Sequence, residues 1–247
     1  MAQIEGRIPV REALKAGREI HKLLVARGAR EGSIREILAL ARQAGVVIQE
    51  VDRARLDQLA HGRNHQGVIA LVAAHRYADV ETILERAAAA GEDPLILVLD
   101  GIEDPQNLGS LLRTADAAGV HGVIIPERRA VGLTETVAKV SAGAVEYVPV
   151  ARVTNLVRTL KQLKEQGLWV VGTHQDGPHL YTETDLTGPL AVVIGSEGKG
   201  ISRLVAETCD LMVRLPMRGH VSSLNAAVAG AILLYEIRRQ RDLSQRR

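Results

Sequence analysis

The sequence predicts an α/β protein whose parallel sheet is covered by helices on both faces. Three observations carry that expectation. Residues 95–99 and 190–194 are unbroken apolar runs of strand length, as strands buried on both faces require. Such runs alternate with stretches whose apolar residues recur every three to four positions, the pattern of a helix with one buried face. Finally, Val192-Val193-Ile194-Gly195-Ser196-Glu197-Gly198-Lys199-Gly200 leads an apolar strand, through a turn with three glycines in six positions, into a helical pattern expected from Ile201. Strand, glycine turn and helix start form the common ligand-binding corner of such sheets.

In chain order, Pro9 suits the first turn of a short helix through Ala13 and Leu14. Residues 20–26 read as a strand. Ser33-Ile34-Arg35-Glu36 has the form of a capping box, so Ser33 is expected to cap a helix with Ile34, Ile37, Leu38 and Ala41 on one face, ended by Gly45. A strand at 46–48, a helix from Asp52 to Leu59, a polar loop at 61–67 and a strand at 68–72 complete a small α/β unit. The loop, His61-Gly62-Arg63-Asn64-His65-Gln66-Gly67, offers donors to phosphates and base edges; a solvated turn is the other reading. A metal site is disfavoured, since no acidic or cysteine partner for the two histidines stands nearby.

Residues 77–93 are expected to be a linker, helical from Asp79 because the alanines at 87–90 favour helix. A larger domain starts near Pro94. After its first strand come a helix with Leu108, Leu111, Leu112 and Ala115 on the apolar face, a strand at 123–125, a helix at 134–140 and a strand at 147–150. A helix at 155–163, a strand at 168–172, the glycine corner, a strand at 211–215 and a last helix from 223 to about 241 follow. That helix carries Leu224, Ala227, Val228, Ala231, Leu234 and Tyr235, widened by the small Ala226, Ala229 and Gly230, so it must be buried in the core or in a subunit interface. The expected division is a domain at 1–76, a linker at 77–93 and a domain at 94–247.

The glycine corner fails the commoner phosphate motifs. Gly198-Lys199 is followed by Gly200 rather than Ser or Thr, and Glu197 stands where a dinucleotide motif needs glycine. A carboxylate aimed at a helix start would repel a pyrophosphate, so the corner suits a neutral or locally cationic ligand, unless it is a plain tight turn. Two further motifs flank it. In Asp104-Pro105-Gln106-Asn107-Leu108-Gly109-Ser110-Leu111-Leu112-Arg113, Asn107 reads as an N-cap, and Gly109 would let a ligand approach beneath Arg113. In Leu215-Pro216-Met217 and Val221-Ser222-Ser223-Leu224-Asn225, Ser222 or Ser223 is expected to cap the last helix, with Asn225 in its first turn. Nothing supports a hydrolase or phosphotransferase: there is no nucleophile elbow and no acidic metal cluster.

Composition narrows the class. Hydrophobic residues make up 46% but aromatics only 2%, with no Phe, so the core must be aliphatic and modules that stack RNA bases on sheet aromatics are disfavoured. Cys209 is the only cysteine, which excludes an internal disulfide and fits a reducing cytoplasm; it reads as a small buried hydrophobe rather than a nucleophile. Charges scattered through the first 30 residues argue against a secretory signal, and no 18-residue apolar run is present to span a membrane. Residues 1–76 hold 13 Lys+Arg against 8 Asp+Glu, whereas 77–247 hold 18 against 21. A basic first part beside a slightly acidic second suggests a polyanion-binding domain joined to a chemistry domain, the other reading being ordinary arginine-rich surface.

Together the three motifs resemble the SpoU (TrmH) family of RNA ribose 2′-O-methyltransferases, within the SPOUT class. The match needs D-P-x-N-x-G with arginine six residues after the asparagine, then a strand ending G-x-E-G-x-G, then L-P-M with S-S-L-N-A, in that order. The resemblance is strong over 94–241. Residues 1–76 are similar to the L30e-like substrate-binding domain of the branch that modifies a guanosine of 23S rRNA; members acting on tRNA commonly lack that domain. The resemblance implies a deep trefoil knot, a rare exception to unknotted folds. It also implies a homodimer, a cytoplasmic RNA substrate, no metal, and S-adenosyl-L-methionine as methyl donor. By the same resemblance Gly195, Leu215 and Leu224 would hold the donor, with Thr173 a further contact. Asn107, Arg113, Glu197, Ser223 and Asn225 match active-site positions.

Overall fold

The computed structural model describes residues 2–245 apart from Arg30, Glu31, His61, Arg63, Ala73, Ala74, His75 and Ser222. The first elements are β1 (Ala2–Glu5), α1 (Arg7–Lys15), β2 (Ile20–Ala26), α2 (Ser33–Gln43), β3 (Ile48–Val51), α3 (Arg53–Ala60) and β4 (Val68–Val72). Next come α4 (Val80–Ala90), β5 (Leu95–Asp100), α5 (Pro105–Ala117), β6 (Gly122–Pro126), α6 (Glu135–Val140) and a 3-10 turn at Ala144–Glu146. The remainder is β7 (Val150–Val153), α7 (Leu156–Glu165), β8 (Trp169–Thr173), β9 (His179–Leu180), β10 (Leu190–Gly195), α8 (Arg203–Thr208), β11 (Leu211–Arg214) and α9 (Ala226–Ser244). These elements group into two units, Met1–Arg76 with Gly132–Tyr147, and Tyr77–Val131 with Val148–Arg247.

The first unit is a four-stranded sheet in the order β1-β4-β2-β3, with β2 and β3 parallel and the other pairs antiparallel. Alternation along β2 divides the core. Leu23 and Val25 pack with Val10, Ala13 and Leu14 of α1 and with Ile34, Ile37 and Ala41 of α2. Leu24 and Ala26 pack with Leu56 and Ala60 of α3. Successive side chains of a strand point to opposite faces, so one apolar strand serves both layers. Ser33 is the first helical residue of α2 rather than its cap; Gly32 holds the cap position with φ 60° and no side-chain hydrogen bond is made there. The short strand β1 was not expected, because four residues give too few alternations to register.

The segment Gly132–Tyr147 groups with this first unit, whereas the sequence division had it inside the domain at 94–247. Three contacts hold it: Gln3 N donates to Glu135 Oε1 at 3.2 Å, Arg18 pairs with Glu146 at 2.5 Å, and the Tyr147 hydroxyl donates to the Glu12 carboxylate at 2.9 Å. Burial pushes the Glu146 carboxyl up from its ordinary range, and the Arg18 guanidinium opposes that shift. In the loop after α3, buried His65 has an acidic partner after all. Its Nε2 lies 2.9 Å from Asp57 Oδ1, while its Nδ1 accepts the Gly67 N–H at 3.0 Å. Both ring nitrogens are thus engaged. His61 and Arg63 of the same loop lie outside the described residues.

The second unit is a seven-stranded, all-parallel sheet in the order β7-β6-β5-β10-β8-β11-β9. One face is covered by α4, α7 and α8, whose Ile83, Leu156, Leu160, Leu163 and Val205 meet Ile96, Val98, Ile124, Val170 and Val193. The other carries α5 and α9, which pack on each other, with α9 against β10. Gly230 permits that approach: a Cβ there would fall 2.6 Å from Leu111 Cδ2. The expected linker is part of this unit. Asp79 caps α4 through the Thr82 N–H at 2.7 Å, and Ile83 lies so close to β6 that a Cβ on Gly122 would meet it at 2.5 Å. Among the described residues no helix is long and apolar enough to cross a membrane.

Candidate active site at the C-terminal edge of the sheet

Strand β10 lies between β5 and β8 although it follows both in sequence. The strand order reverses there, and in open α/β sheets the crevice beyond the carboxyl ends of the strands at such a point is where ligands bind. Gly195 ends β10. A Cβ on it would fall inside the backbone of Gly200 and Ile201, so no larger residue fits. The turn closes on itself, with Ser196 N donating to Gly200 O at 3.1 Å and Gly200 N to Ser196 O at 2.8 Å. Gly198 and Gly200 hold left-handed backbones, φ 77° and 66°, which glycine adopts without strain. The helix expected from Ile201 starts only at Arg203 and has six residues. Its start is pinned by Asp100 at the end of β5, whose Oδ2 accepts the Ser202 N–H at 2.7 Å.

A cleft of about 240 Å³ opens over this corner. Its walls are Thr173 at the end of β8 with His174 and Gln175 after it, residues 194–200, Leu215 and Met217 after β11, and Ser223, Leu224, Ala226 and Ala229 around the start of α9. Thr173 Oγ1 donates to Val193 O at 3.3 Å, tying β8 to β10 at the cleft floor. Four residues expected at the donor site, Gly195, Leu215, Leu224 and Thr173, therefore share one cleft, and Glu197 and Ser223 line it too.

The three motifs meet at Glu197. Asn107 Nδ2 donates to Glu197 Oε1 at 3.1 Å, Asn225 Nδ2 donates to the same oxygen, and Asn225 Nδ2 also lies 2.8 Å from Asn107 Oδ1. Ala226 N, in the first turn of α9, donates to Glu197 Oε1 at 3.3 Å. The carboxylate thus occupies a helix N-terminus, the favourable place for an anion, but that of α9 rather than of the helix following its own turn. Two expected caps move. Asn225 itself caps α9, its Oδ1 accepting from Ala227 N at 3.0 Å and Val228 N at 3.2 Å, which leaves Ser223 outside the helix and exposed; Ser222 lies outside the described residues. Asp104 caps α5 through the Gln106 N–H at 2.9 Å, with Pro105 at the first helical position, so Asn107 is a first-turn residue with its side chain free to reach Glu197.

Arg113 stands six residues further along α5, roughly 9 Å by helical rise. It is exposed, outside the cleft wall, and makes no hydrogen bond or ion pair among the described residues. Gly109 is buried in α5. Cys209 is largely buried; burial, with Asp210 beside it, pushes the thiol up to about 12, and Sγ donates to Val205 O at 3.3 Å. At neutral pH it is therefore a protonated thiol, not a nucleophile. The sequence reading missed Asp100, Met217 and the pair His174 and Gln175. Met217 stood in a quoted motif, and Asp100 and His174 stand at the carboxyl ends of parallel strands, where sites concentrate.

Comparison with known proteins gives this arrangement its context. The model of the SpoU rRNA methylase family matches residues 94–235, and the model for RNA 2′-O ribose methyltransferase substrate binding matches residues 3–78. A Bacillus subtilis protein named as a candidate TrmH family tRNA/rRNA methyltransferase, YacO, is 52% identical over 237 residues, covering 96% of this chain and 95% of its own. The SpoU methyltransferase AviRb of Streptomyces viridochromogenes, solved with the cofactor AdoMet, superposes with a TM-score of 0.83 at 29% identity, covering 97% of this chain and 90% of its own. An AdoMet-bound rRNA methyltransferase from Sinorhizobium meliloti superposes with a TM-score of 0.80 at 28% identity, covering 96% and 87%. The second unit has the α/β-knot fold of these methyltransferases.

Proposed function

The chain belongs to the SpoU methylase family of RNA ribose 2′-O-methyltransferases, and we propose that its substrate is a guanosine ribose in 23S rRNA. The observation that carries the rRNA reading is the substrate-binding region matched at residues 3–78, with its surplus of 13 Lys+Arg over 8 Asp+Glu in residues 1–76, joined to a complete set of motif residues. The rRNA enzyme of Sinorhizobium meliloti aligns over 96% of the chain, which supports the same reading. A tRNA substrate is the second reading, favoured by the tRNA/rRNA wording of the YacO name. Incubating the protein with S-adenosyl-L-methionine and unmodified 23S rRNA or total tRNA, then mapping methylated nucleosides by mass spectrometry, tests it. A 2′-O-methylguanosine at one 23S position is expected; methylation confined to tRNA would overturn the rRNA assignment.

S-adenosyl-L-methionine supplies an electrophilic methyl group on a sulfonium. The cleft suits such a ligand. Leu215, Met217, Leu224 and Ala226 offer aliphatic surface, the glycine turn offers backbone groups, and Glu197 disfavours a phosphate while tolerating a cation. Gly195, Leu215, Leu224 and Thr173 hold the donor. Glu197, Asn107 and Asn225 fix the turn, α5 and α9 in register through their shared hydrogen bonds. Ser223 lies on the exposed approach to the cleft and contacts the RNA. A ribose hydroxyl is a poor nucleophile until its proton begins to leave. Guanidinium groups hold their protons to about pH 12 or above, so Arg113 anchors the neighbouring phosphate and stabilises the developing alkoxide, while that phosphate or a water takes the hydroxyl proton.

The enzyme acts as a cytoplasmic homodimer. Val228 and Tyr235 on α9 are 46% and 54% exposed, with Ala231 and Ile232 half-buried between them, an apolar stripe at helical spacing that a second subunit would cover. Ala231→Glu should place an unpaired carboxylate in that contact, at a cost of several kcal/mol. Sedimentation should then report monomer or aggregate, and a soluble, fully active dimer would overturn the assignment.

A further inference from the structure

The second unit, residues 77–131 with 148–247, holds fewer Lys+Arg than Asp+Glu, 17 against 19, yet its substrate is a polyanion. Its cations must therefore be distributed by use. Several are committed internally. Lys164, Arg203 and Arg239 pair with Asp210, Glu207 and Glu236, while Arg214, Arg238 and Arg241 donate to backbone carbonyls. Arg128 and Arg129 differ. They follow β6 at the C-terminal edge of the sheet, are exposed, and make no ion pair or hydrogen bond among the described residues.

The backbone that carries them is pinned at both ends. Glu127 N donates to Val153 O at 2.8 Å, and Arg152 Nη2 donates to Glu127 O at 3.0 Å. On the far side Val131 N donates to Ile102 O at 2.9 Å, fastening the turn to the loop that leads into α5, the helix of Asn107 and Arg113. Arg129 itself has φ 58°, a left-handed backbone that bulky residues rarely adopt and that persists only where its surroundings impose it. A braced turn thus holds two unpaired arginines beside the loop that feeds the active-site helix. Arginine forks match phosphate oxygens geometrically, and contacts of this kind set register without reading sequence.

We infer that Arg128 and Arg129 form a phosphate-binding site for the RNA strand flanking the methylated nucleotide, a second grip that sets which ribose reaches Arg113. The inference rests on the reading that the substrate is RNA. The test is a double variant, Arg128→Ala with Arg129→Gly, since glycine accepts the left-handed backbone without strain. The comparison is Arg158→Ala with Lys161→Ala, which removes two exposed cations from α7 on the face of the sheet. Methyl transfer to in-vitro-transcribed 23S rRNA and total tRNA, RNA binding against salt, and donor titration by calorimetry are measured on wild type and both variants. For the turn variant the RNA KM should rise about tenfold while kcat and donor affinity stay at wild type. The slope of log affinity against log salt should shrink by about 1.4, the value for two lost contacts to a single strand. An unchanged KM and slope, or an equal shift from the α7 pair, would overturn the site. A wild-type protein that neither binds nor methylates either RNA would instead overturn the RNA reading beneath it, and the site with it.

Discussion

The two edges of the seven-stranded sheet use arginine in opposite ways. At the amino-terminal edge Arg241 is 5% exposed and donates to the carbonyls of Asp93, Pro94 and Gly188 at 2.7 to 3.0 Å, stapling α9 to the starts of β5 and β10. Arg238 does the same for Ala118 and Gly119 at 3.0 and 3.2 Å. At the carboxyl-terminal edge Arg113, Arg128 and Arg129 are exposed and unpaired among the described residues, beside hydrogen bonds that join three motifs at Glu197. The same side chain closes one edge and leaves the other open. The difference follows from the strands: a parallel sheet gathers its ligand-facing loops at the carboxyl ends, so the opposite edge is free to be sealed.

The sealed edge should fail first as a fold. Arg241→Ala would remove a charged donor from three carbonyls, of which Pro94 O keeps the Leu190 N–H at 2.8 Å, and the loss of these hydrogen bonds should lower stability by roughly 2 kcal/mol, read as a shift in denaturant midpoint. Donor affinity of the folded fraction should not change. A variant as stable as wild type would show that the edge is not held this way. Glu197→Ala, at the open edge, should cost about 1 kcal/mol, since it removes a shared cap from exposed side chains. Its larger effect should be on donor affinity and turnover, and a melting point that collapses with both intact would invert the comparison. The smallest effect is a pH dependence. His121, at the sealed edge, accepts the Leu95 N–H at 3.0 Å, and burial holds its pKa below the ordinary value of 6.5, with Glu92 opposing. The unfolded chain therefore binds the proton more readily. The contribution is present above about pH 6.5 and is lost as pH falls toward the folded value. His121→Leu should cost about 1 kcal/mol at pH 8 through the lost acceptor and flatten the melting curve against pH between 7.5 and 5.5; an unaltered pH profile would remove His121 from the account.

Most of the second unit's strands and helices were legible because each leaves a local mark. β5 and β10 are continuous apolar runs, and Gly195 is needed where the turn folds back on itself. The caps were not. Asn107, Ser223 and Asn225 all suit a cap chemically, and the choice is made by Asp104 preceding Pro105 and by Glu197, 28 residues before Asn225, reaching the start of α9. The grouping of Gly132–Tyr147 with the first unit was equally hidden, because Arg18 and Glu146 are joined by a contact that no periodicity records. In the site, the motifs told which residue types come together but not which are held and which are free. Arg113 and Arg241 are alike in sequence, and only packing separates a reaching arginine from a staple.

The most direct test of that separation is Arg113→Ala, followed by calorimetric titration with S-adenosyl-L-methionine, thermal melting and single-turnover methyl transfer on one preparation. The account predicts an unchanged melting point and donor affinity with a transfer rate at least about 100-fold lower, the loss expected when a group acting on developing negative charge is removed. A fall in donor affinity or in stability that matches the fall in rate would contradict it, and would make Arg113 a residue of the fold or of the donor cleft.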